Sequence, residues 1–309
     1  MLINIHSHRA VKQTILQLVL AILLLALSNS SQAEEITQNF HGLTINANLE
    51  MAEGKNFKDG MVLILHGVMA HNKMELIHSA QQALLDNEKS SLAINLSLNR
   101  DNRHGFYDCT WPHRHKQDEV FDELGIWVDW LRKKGVSKIA LMAHSRGANQ
   151  AMVYAVEHLD PEVTHLIFLA IGSDDVKESH EERYGKIFDV TLERMHQQIT
   201  SNNGEALVEN IDFWFCPKAS VTANSFISYY GEGSKFKKIK AYLPQIPIPT
   251  LIITGTQDER FPNTKKNVSP LVDGKRLRLI EIEGAGHFFR DLNIEEAMEV
   301  AIEFMADSK

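Results

Sequence analysis

Three times along this chain an apolar run ends in a polar residue, and the three polar residues come in the order serine, aspartate, histidine. Residues 138–142 lead into Ala143-His144-Ser145-Arg146-Gly147, residues 250–253 into Thr254-Gly255-Thr256-Gln257-Asp258, and residues 277–282 into Glu283-Gly284-Ala285-Gly286-His287. A serine on a sharp strand-to-helix turn has its hydroxyl held out of the sheet. There a histidine from a later loop can take its proton, and an acid can fix that histidine's tautomer. The pattern names Ser145 as nucleophile, Asp258 as acid and His287 as base, with the adjacent Glu259 as the alternative acid.

The intervening sequence alternates strands and helices, with the near-continuous apolar strands of a parallel sheet covered on both faces. Residues 40–51 read as an edge hairpin strand paired with one near Phe57. Strands follow at 61–65, 92–98, 138–143 and 163–171, and helices at 74–85, 118–134 and 148–158. Val120, Leu124, Trp127, Val128 and Leu131 fall at helical spacing, and Gly135 suits the end of that helix. Ile294, Ala297, Met298, Ala301, Ile302 and Met305 mark a closing helix. Between 172 and 249 the alternation stops. Helical patterns at 181–201, 205–210, 219–230 and 235–242 run into Pro244, Pro247 and Pro249, which stiffen the return to the sheet. The expected fold class is α/β: a mostly parallel sheet with helices on both faces, its core formed by 34–171 and 250–309, and a helical cap inserted at 172–249.

Residues 1–33 read as a secretory signal peptide: Arg9 and Lys12, then 15–27, apolar apart from Gln17, then Ser31-Gln32-Ala33 with small residues where a peptidase cleaves. The apolar run is short against the ~20 residues a spanning helix needs, so cleavage after Ala33 and a periplasmic or secreted protein are expected. An uncleaved membrane anchor is the alternative. The formal charge is −8, and removal of the two basic signal residues makes it more negative. That balance argues against nucleic acid and anionic lipid as partners. The one dense basic cluster, Lys235-Phe236-Lys237-Lys238-Ile239-Lys240, reads as a solvated helix face. Cys109 and Cys216 are the only cysteines; an exported chain allows a bridge between them, and two reduced thiols are the alternative.

With these residues in view, the chain resembles the α/β-hydrolase superfamily over nearly all of its length after residue 33. The family elbow is Gly-x-Ser-x-Gly; here alanine, also small, takes the first place, and Gly147 keeps the last, where a side chain would crowd the turn. The resemblance implies an oxyanion hole formed by the backbone N–H of Arg146 and, from Leu65-His66-Gly67-Val68, that of Val68. It makes His66 a hydrogen-bonder that holds this loop. The implied activity is hydrolysis of a small-molecule carboxylic ester through an acyl-enzyme, without a cofactor. An amidase, peptidase or lipase on the same triad, or a non-catalytic binding protein on this scaffold, are the alternatives. Aspartate-nucleophile relatives are excluded by Ser145. Phe288, Trp214 and Arg100 are candidate substrate contacts, and Arg100 and Arg103 either meet an acidic substrate group or pair with cap carboxylates. His113 and His115, near His104 and Asp108, are the best metal candidates, but they lie on a loop and lack the His-Glu-x-x-His spacing, so no metal is expected. Oligomeric state and the natural acyl and alcohol groups stay open.

Overall fold

The structure, a computed structural model, describes residues 33–172 and 176–307. Nearly all of the segment expected to be a signal peptide lies outside the described residues. Among the described residues, no helix is long and apolar enough to cross a membrane.

An eight-stranded sheet organises the chain. In sequence order the strands and helices are β1 (Glu34–Phe40), β2 (Leu43–Glu50), β3 (Met61–Leu65), α1 (Glu75–Asp86), β4 (Ser91–Asn95), α2 (Glu119–Lys133), β5 (Ile139–His144), α3 (Arg146–Glu157) and β6 (Val163–Leu169). The insertion holds α4 (Val176–Tyr184), α5 (Phe188–Thr200), β7 (Leu207–Phe213), β8 (Cys216–Thr222), α6 (Ala223–Tyr230) and the short α7 (Ile239–Tyr242). The sheet resumes with β9 (Thr250–Gly255), followed by α8 (Thr264–Val268), β10 (Leu277–Ile282) and α9 (Leu292–Asp307). Across the sheet the order is β1-β2-β4-β3-β5-β6-β9-β10, with only the β1/β2 and β2/β4 pairs antiparallel.

Alternation along the central strands divides the core in two. Leu63 and Leu65 face one side with the α2 stripe of Val120, Leu124, Trp127, Val128 and Leu131, while Val62 and Ile64 face the other with α1 and α9. Each such side chain contributes about 1.5–3 kcal/mol when fully buried. This is why every residue of β3, β4, β5 and β9 is buried. Because β3, β5, β6, β9 and β10 are parallel, their carboxyl ends share one edge, and the loops leaving them meet there.

Three sequence expectations are corrected. The partner of β2 is β1, not a strand near Phe57, which instead opens a 3₁₀ turn. Its capping box is mutual: Lys58 N–H donates to Asn56 Oδ1 (3.0 Å) and Asn56 N–H to Asp59 Oδ2 (2.8 Å). β1 is polar and half-exposed, as edge strands often are, so it carries no apolar run to read. β4 stops at Asn95 rather than reaching Leu98, because the Leu96 N–H leaves the ladder to donate to His66 Nε2 at 3.1 Å. Within the insertion, 205–210 and 219–222 fall largely in an antiparallel hairpin, β7–β8, rather than in helix. Register shifts between Val208 and Ile211, and between Ile211 and Phe213, break the two-residue period. Buried Val208 and Ile211 are therefore three residues apart, a spacing that a helix also gives.

Candidate active site

β5 ends at His144, and the chain turns into α3 through Ser145, whose backbone lies at φ 53°, ψ −124°. An L-residue reaches such a conformation only where its surroundings hold it there. Here Ser145 N–H donates to Leu169 O (2.8 Å), and Ser145 O accepts from Ala148 N–H (2.9 Å). Gly147 lets the turn pass under the preceding loop, since a Cβ there would lie 2.3 Å from His66 O.

The loops after β9 and β10 complete the group. His287 Nε2 is 3.0 Å from Ser145 Oγ, and its Nδ1 lies 3.0 and 3.2 Å from the two Asp258 carboxylate oxygens. Asp258 Oδ1 also accepts from the N–H groups of Arg260 (2.9 Å) and Phe261 (3.1 Å). Burial pushes the Asp258 carboxyl upward. The hydrogen bond and charge of His287, with the two backbone donors, outweigh it and hold the group below the usual carboxylate range. All three residues are buried. Glu259 is exposed.

The sequence reading gave His144 no role. Its Nε2–H donates to the carbonyl of His287 at 3.0 Å, and its ring lies 4.9 Å from the His287 ring. Burial, then the neighbouring His287, push it from the ordinary 6.5 to about 3, so the ring is neutral and acts as a donor. Its only sequence signal is adjacency to Ser145.

The 66–68 loop lies against the nucleophile: a Cβ on Gly67 would stand 3.2 Å from His144 Nδ1 and 3.3 Å from Ser145 Cβ. His66 Nδ1–H donates to Gly67 O (2.7 Å), and its Nε2 accepts from Leu96 N–H. Burial, then the charge of Arg103, push His66 to about 3. Arg103 is itself buried and turned inward, donating to Leu96 O (2.9 Å from Nε) and Asn95 Oδ1 (2.7 Å from Nη2). It braces the loop instead of facing a substrate. Behind it, Glu123 accepts from Ser97 N–H (2.9 Å) and Oγ–H (2.8 Å), and burial pushes its carboxyl up to about 7. Nothing in the spacing of Asn95, Arg103 and Glu123 announces this network.

The remaining candidates are dispersed. Arg100 lies over Trp111, 4.6 Å from the ring centre. Phe288 packs against His144 and His287. Trp214 sits at the β7–β8 turn, its backbone N–H donating to Tyr230 Oη at 2.8 Å. Phe213, Phe226, Tyr229 and Tyr230 are buried against one another as the interior of the cap. Cys109 and Cys216 are joined by a disulfide, Cα atoms 5.2 Å apart. His113 and His115 pack among Tyr107, Phe213 and Tyr229. Among the described residues, no three His, Cys, Asp or Glu side chains gather as metal ligands would. Two surface hollows of about 270 and 260 Å³ lie away from the triad.

No protein-family model matches this chain, and no curated protein sequence does. Solved structures do. Est1E from Butyrivibrio proteoclasticus bound to ferulic acid superposes with TM-score 0.64 at 20% identity, over 88% of this chain and 98% of that one. An alpha-beta serine hydrolase homologue from Coxiella burnetii gives 0.55 at 16%, over 89% and 99%. The Pyrococcus furiosus esterase Pf2001 gives 0.53 at 15%, over 89% and 92%. This chain has the α/β-hydrolase fold. In an α/β-hydrolase fold the loop after β5 carries the elbow, and the later loops carry acid and base in chain order. Ser145, Asp258 and His287 occupy those places, and the insertion between β6 and β9 is the cap.

Proposed function

We propose that this protein is a serine hydrolase that cleaves a carboxylic ester through an acyl-enzyme. The carrying observation is the continuous relay from Ser145 Oγ through His287 to Asp258, with both His287 ring nitrogens engaged at 3.0 Å. Ser145 Oγ attacks the carbonyl carbon while His287 Nε2 takes its proton, and Asp258 stabilises the imidazolium that forms. The carbonyl oxygen becomes an oxyanion, for which the N–H groups of Arg146 and Val68 are the proposed donors; the close approach of Gly67 to Ser145 supports this. The alcohol departs with the proton from His287. Water, deprotonated by the same ring, then releases the acid and restores Ser145. Phe288 beside the base and Trp214 from the cap are the proposed walls. No step needs a cofactor.

A serine-directed fluorophosphonate probe tests this directly. Wild-type protein should be labelled at Ser145 and should turn over an activated ester, and Ser145→Ala should lose both. Undiminished turnover by Ser145→Ala would overturn the reading, and a folded protein that takes no label would point to a non-catalytic scaffold. We also propose that the chain is exported with loss of residues 1–33, which the Cys109–Cys216 bridge supports because such bonds persist in oxidising compartments. Sequencing the N-terminus of exported protein should find Glu34 first.

A further inference from the structure

The residue after the nucleophile carries a charge that nothing in the described residues answers. Arg146 is only 7% exposed. Its side chain runs toward the cap, where the guanidinium carbon lies 5.4 Å from the Trp214 ring centre and 5.6 Å from that of Phe236. Nε and Nη2 are both buried without a hydrogen-bond partner among the described residues, and so is the indole N–H of Trp214. Burial pulls the guanidinium down only to about 10, with the phenols of Tyr229 and Tyr230 opposing that shift, so it stays charged at neutral pH.

Two features make this more than a packed side chain. Nε and Nη2 present parallel N–H bonds along one edge of the guanidinium, the fork that a carboxylate fills with two hydrogen bonds. A buried charge left without a partner is costly, and proteins ordinarily satisfy it. The Trp214 and Phe236 rings meet the guanidinium as cation–π partners and supply this edge with no hydrogen-bond acceptor. Farther out, Arg183 and Arg260 lie 4.7 and 5.6 Å from the ring centre of Phe215, which is 44% exposed; Arg183 also donates to Trp214 O (3.0 Å), and Arg260 lies over Phe288. Cations thus gather beside the site of a chain whose formal charge is −8.

We infer that the Arg146 guanidinium edge, with the Trp214 indole N–H, recognises a carboxylate on the substrate, so that the preferred substrates are esters carrying a second, free carboxylate. This rests on the esterase reading above and narrows it to a substrate class. Because Arg146 adjoins Ser145, one side-chain length separates the bound carboxylate from the scissile carbonyl.

The test compares p-nitrophenyl hexanoate with the mono-p-nitrophenyl ester of adipate, matched in length and differing in one terminal charge. Wild type should favour the carboxylated ester by about tenfold or more in kcat/KM, mostly through KM, the scale of a charged hydrogen-bonded pair. Arg146→Met should abolish that preference, and Arg146→Lys, which keeps the charge but not the fork, should fall between them. A wild type that prefers the neutral ester, or an Arg146→Met that keeps the preference, overturns the inference. If Arg146 only braces the cap, Arg146→Met slows both esters alike and leaves their ratio unchanged, which also overturns it. Calorimetry on the intact wild-type protein keeps the question separate from catalysis: adipate should bind and neutral adipamide should not. If Ser145 takes no fluorophosphonate and neither ester is cleaved, the esterase reading has failed while adipate binding still decides the carboxylate site. If Ser145 is labelled and the hexanoate is cleaved without any carboxylate preference, this inference alone has failed.

Discussion

His287 and His115 are both buried, at 3% and 1% exposure, yet they sit in opposite chemistry. His287 faces a carboxylate that two backbone N–H groups hold in place, and a serine hydroxyl. His115 faces the Tyr229 hydroxyl (2.9 Å), the His113 ring (3.3 Å) and aromatic walls. Burial drives His115 well below the ordinary histidine value and His113 to about 4. Depth alone yields a neutral ring suited to packing. Depth beside an anchored carboxylate yields a ring whose tautomer is fixed for taking the Ser145 proton, as a general base must be.

The sharpest way to break this contrast is to make the first histidine resemble the second. Asp258→Asn leaves Ser145, His287 and the elbow in place but removes the charge that fixes the ring's tautomer. Ester turnover should fall about 10⁴-fold, with the far-ultraviolet circular dichroism unchanged. A variant that keeps most of its turnover would mean that His287 needs no carboxylate, and the contrast would collapse.

The second prediction addresses the rings without a carboxylate. His66, His113 and His144 titrate near 3, 4 and 3 in the folded protein, against an ordinary 6.5, and His115 also lies far below that value. Below pH 6.5 the unfolded chain therefore binds protons that the folded one refuses. Their contribution is fully present above pH 6.5 and is lost as pH falls, down to about 4 for His113 and about 3 for His66 and His144, at about 1.4 kcal/mol per pH unit for each of these three. At pH 5.5 His66, His113 and His144 together should lower the unfolding free energy by about 4 kcal/mol relative to pH 8, with His115 acting in the same direction. Urea midpoints at the two pH values check this, and a flat profile would show that these rings admit protons while folded.

The third concerns what fastens the His113 loop. His113 N–H donates to Ser220 O (2.8 Å) and its carbonyl accepts from Thr222 N–H (3.0 Å), so the loop lies along β8, the strand that begins at the bridged Cys216. The Cys109–Cys216 bridge spans 107 residues, and closing so long a loop stabilises by up to about 4–5 kcal/mol on the chain-entropy estimate. Cys109→Ser should lower the urea midpoint accordingly. It should slow fluorophosphonate labelling much less, because no triad residue rests on the bridge. Equal loss of stability and labelling would mean that cap and triad are one mechanical unit.

What the sequence disclosed follows the same division. Ser145, Asp258 and His287 were legible because the chemistry requires those residue types just past β5, β9 and β10, and β5 and β9 are largely aliphatic and buried throughout. Features that depend on tertiary context were not. β1 hides in a polar edge, bulges disguise β7 as helix, and the bonds from Arg103 to Asn95 and Leu96 exist only once β4 has ended. The unpartnered edge of the Arg146 guanidinium is of the same kind, since the residue was read only for its backbone N–H.

The smallest effect is expected at Glu259, the acid that competed with Asp258 on sequence grounds. Both lie on the loop after β9, one residue apart, and either side chain is long enough to reach a histidine. The backbone decides between them: Asp258 turns inward to accept from Arg260 and Phe261 N–H and from His287, which leaves Glu259 exposed. An exposed carboxylate without such bonds changes stability by about 0.5 kcal/mol or less when neutralised, and in water its field at His287 is weak. Glu259→Gln should therefore keep kcat/KM for an activated ester within about threefold of wild type. If Glu259→Gln instead abolished turnover while Asp258→Asn spared it, the loop would have to turn over in solution and the acid would be Glu259. If neither change mattered, His287 would work without any carboxylate, as buried as His115 and no better supported.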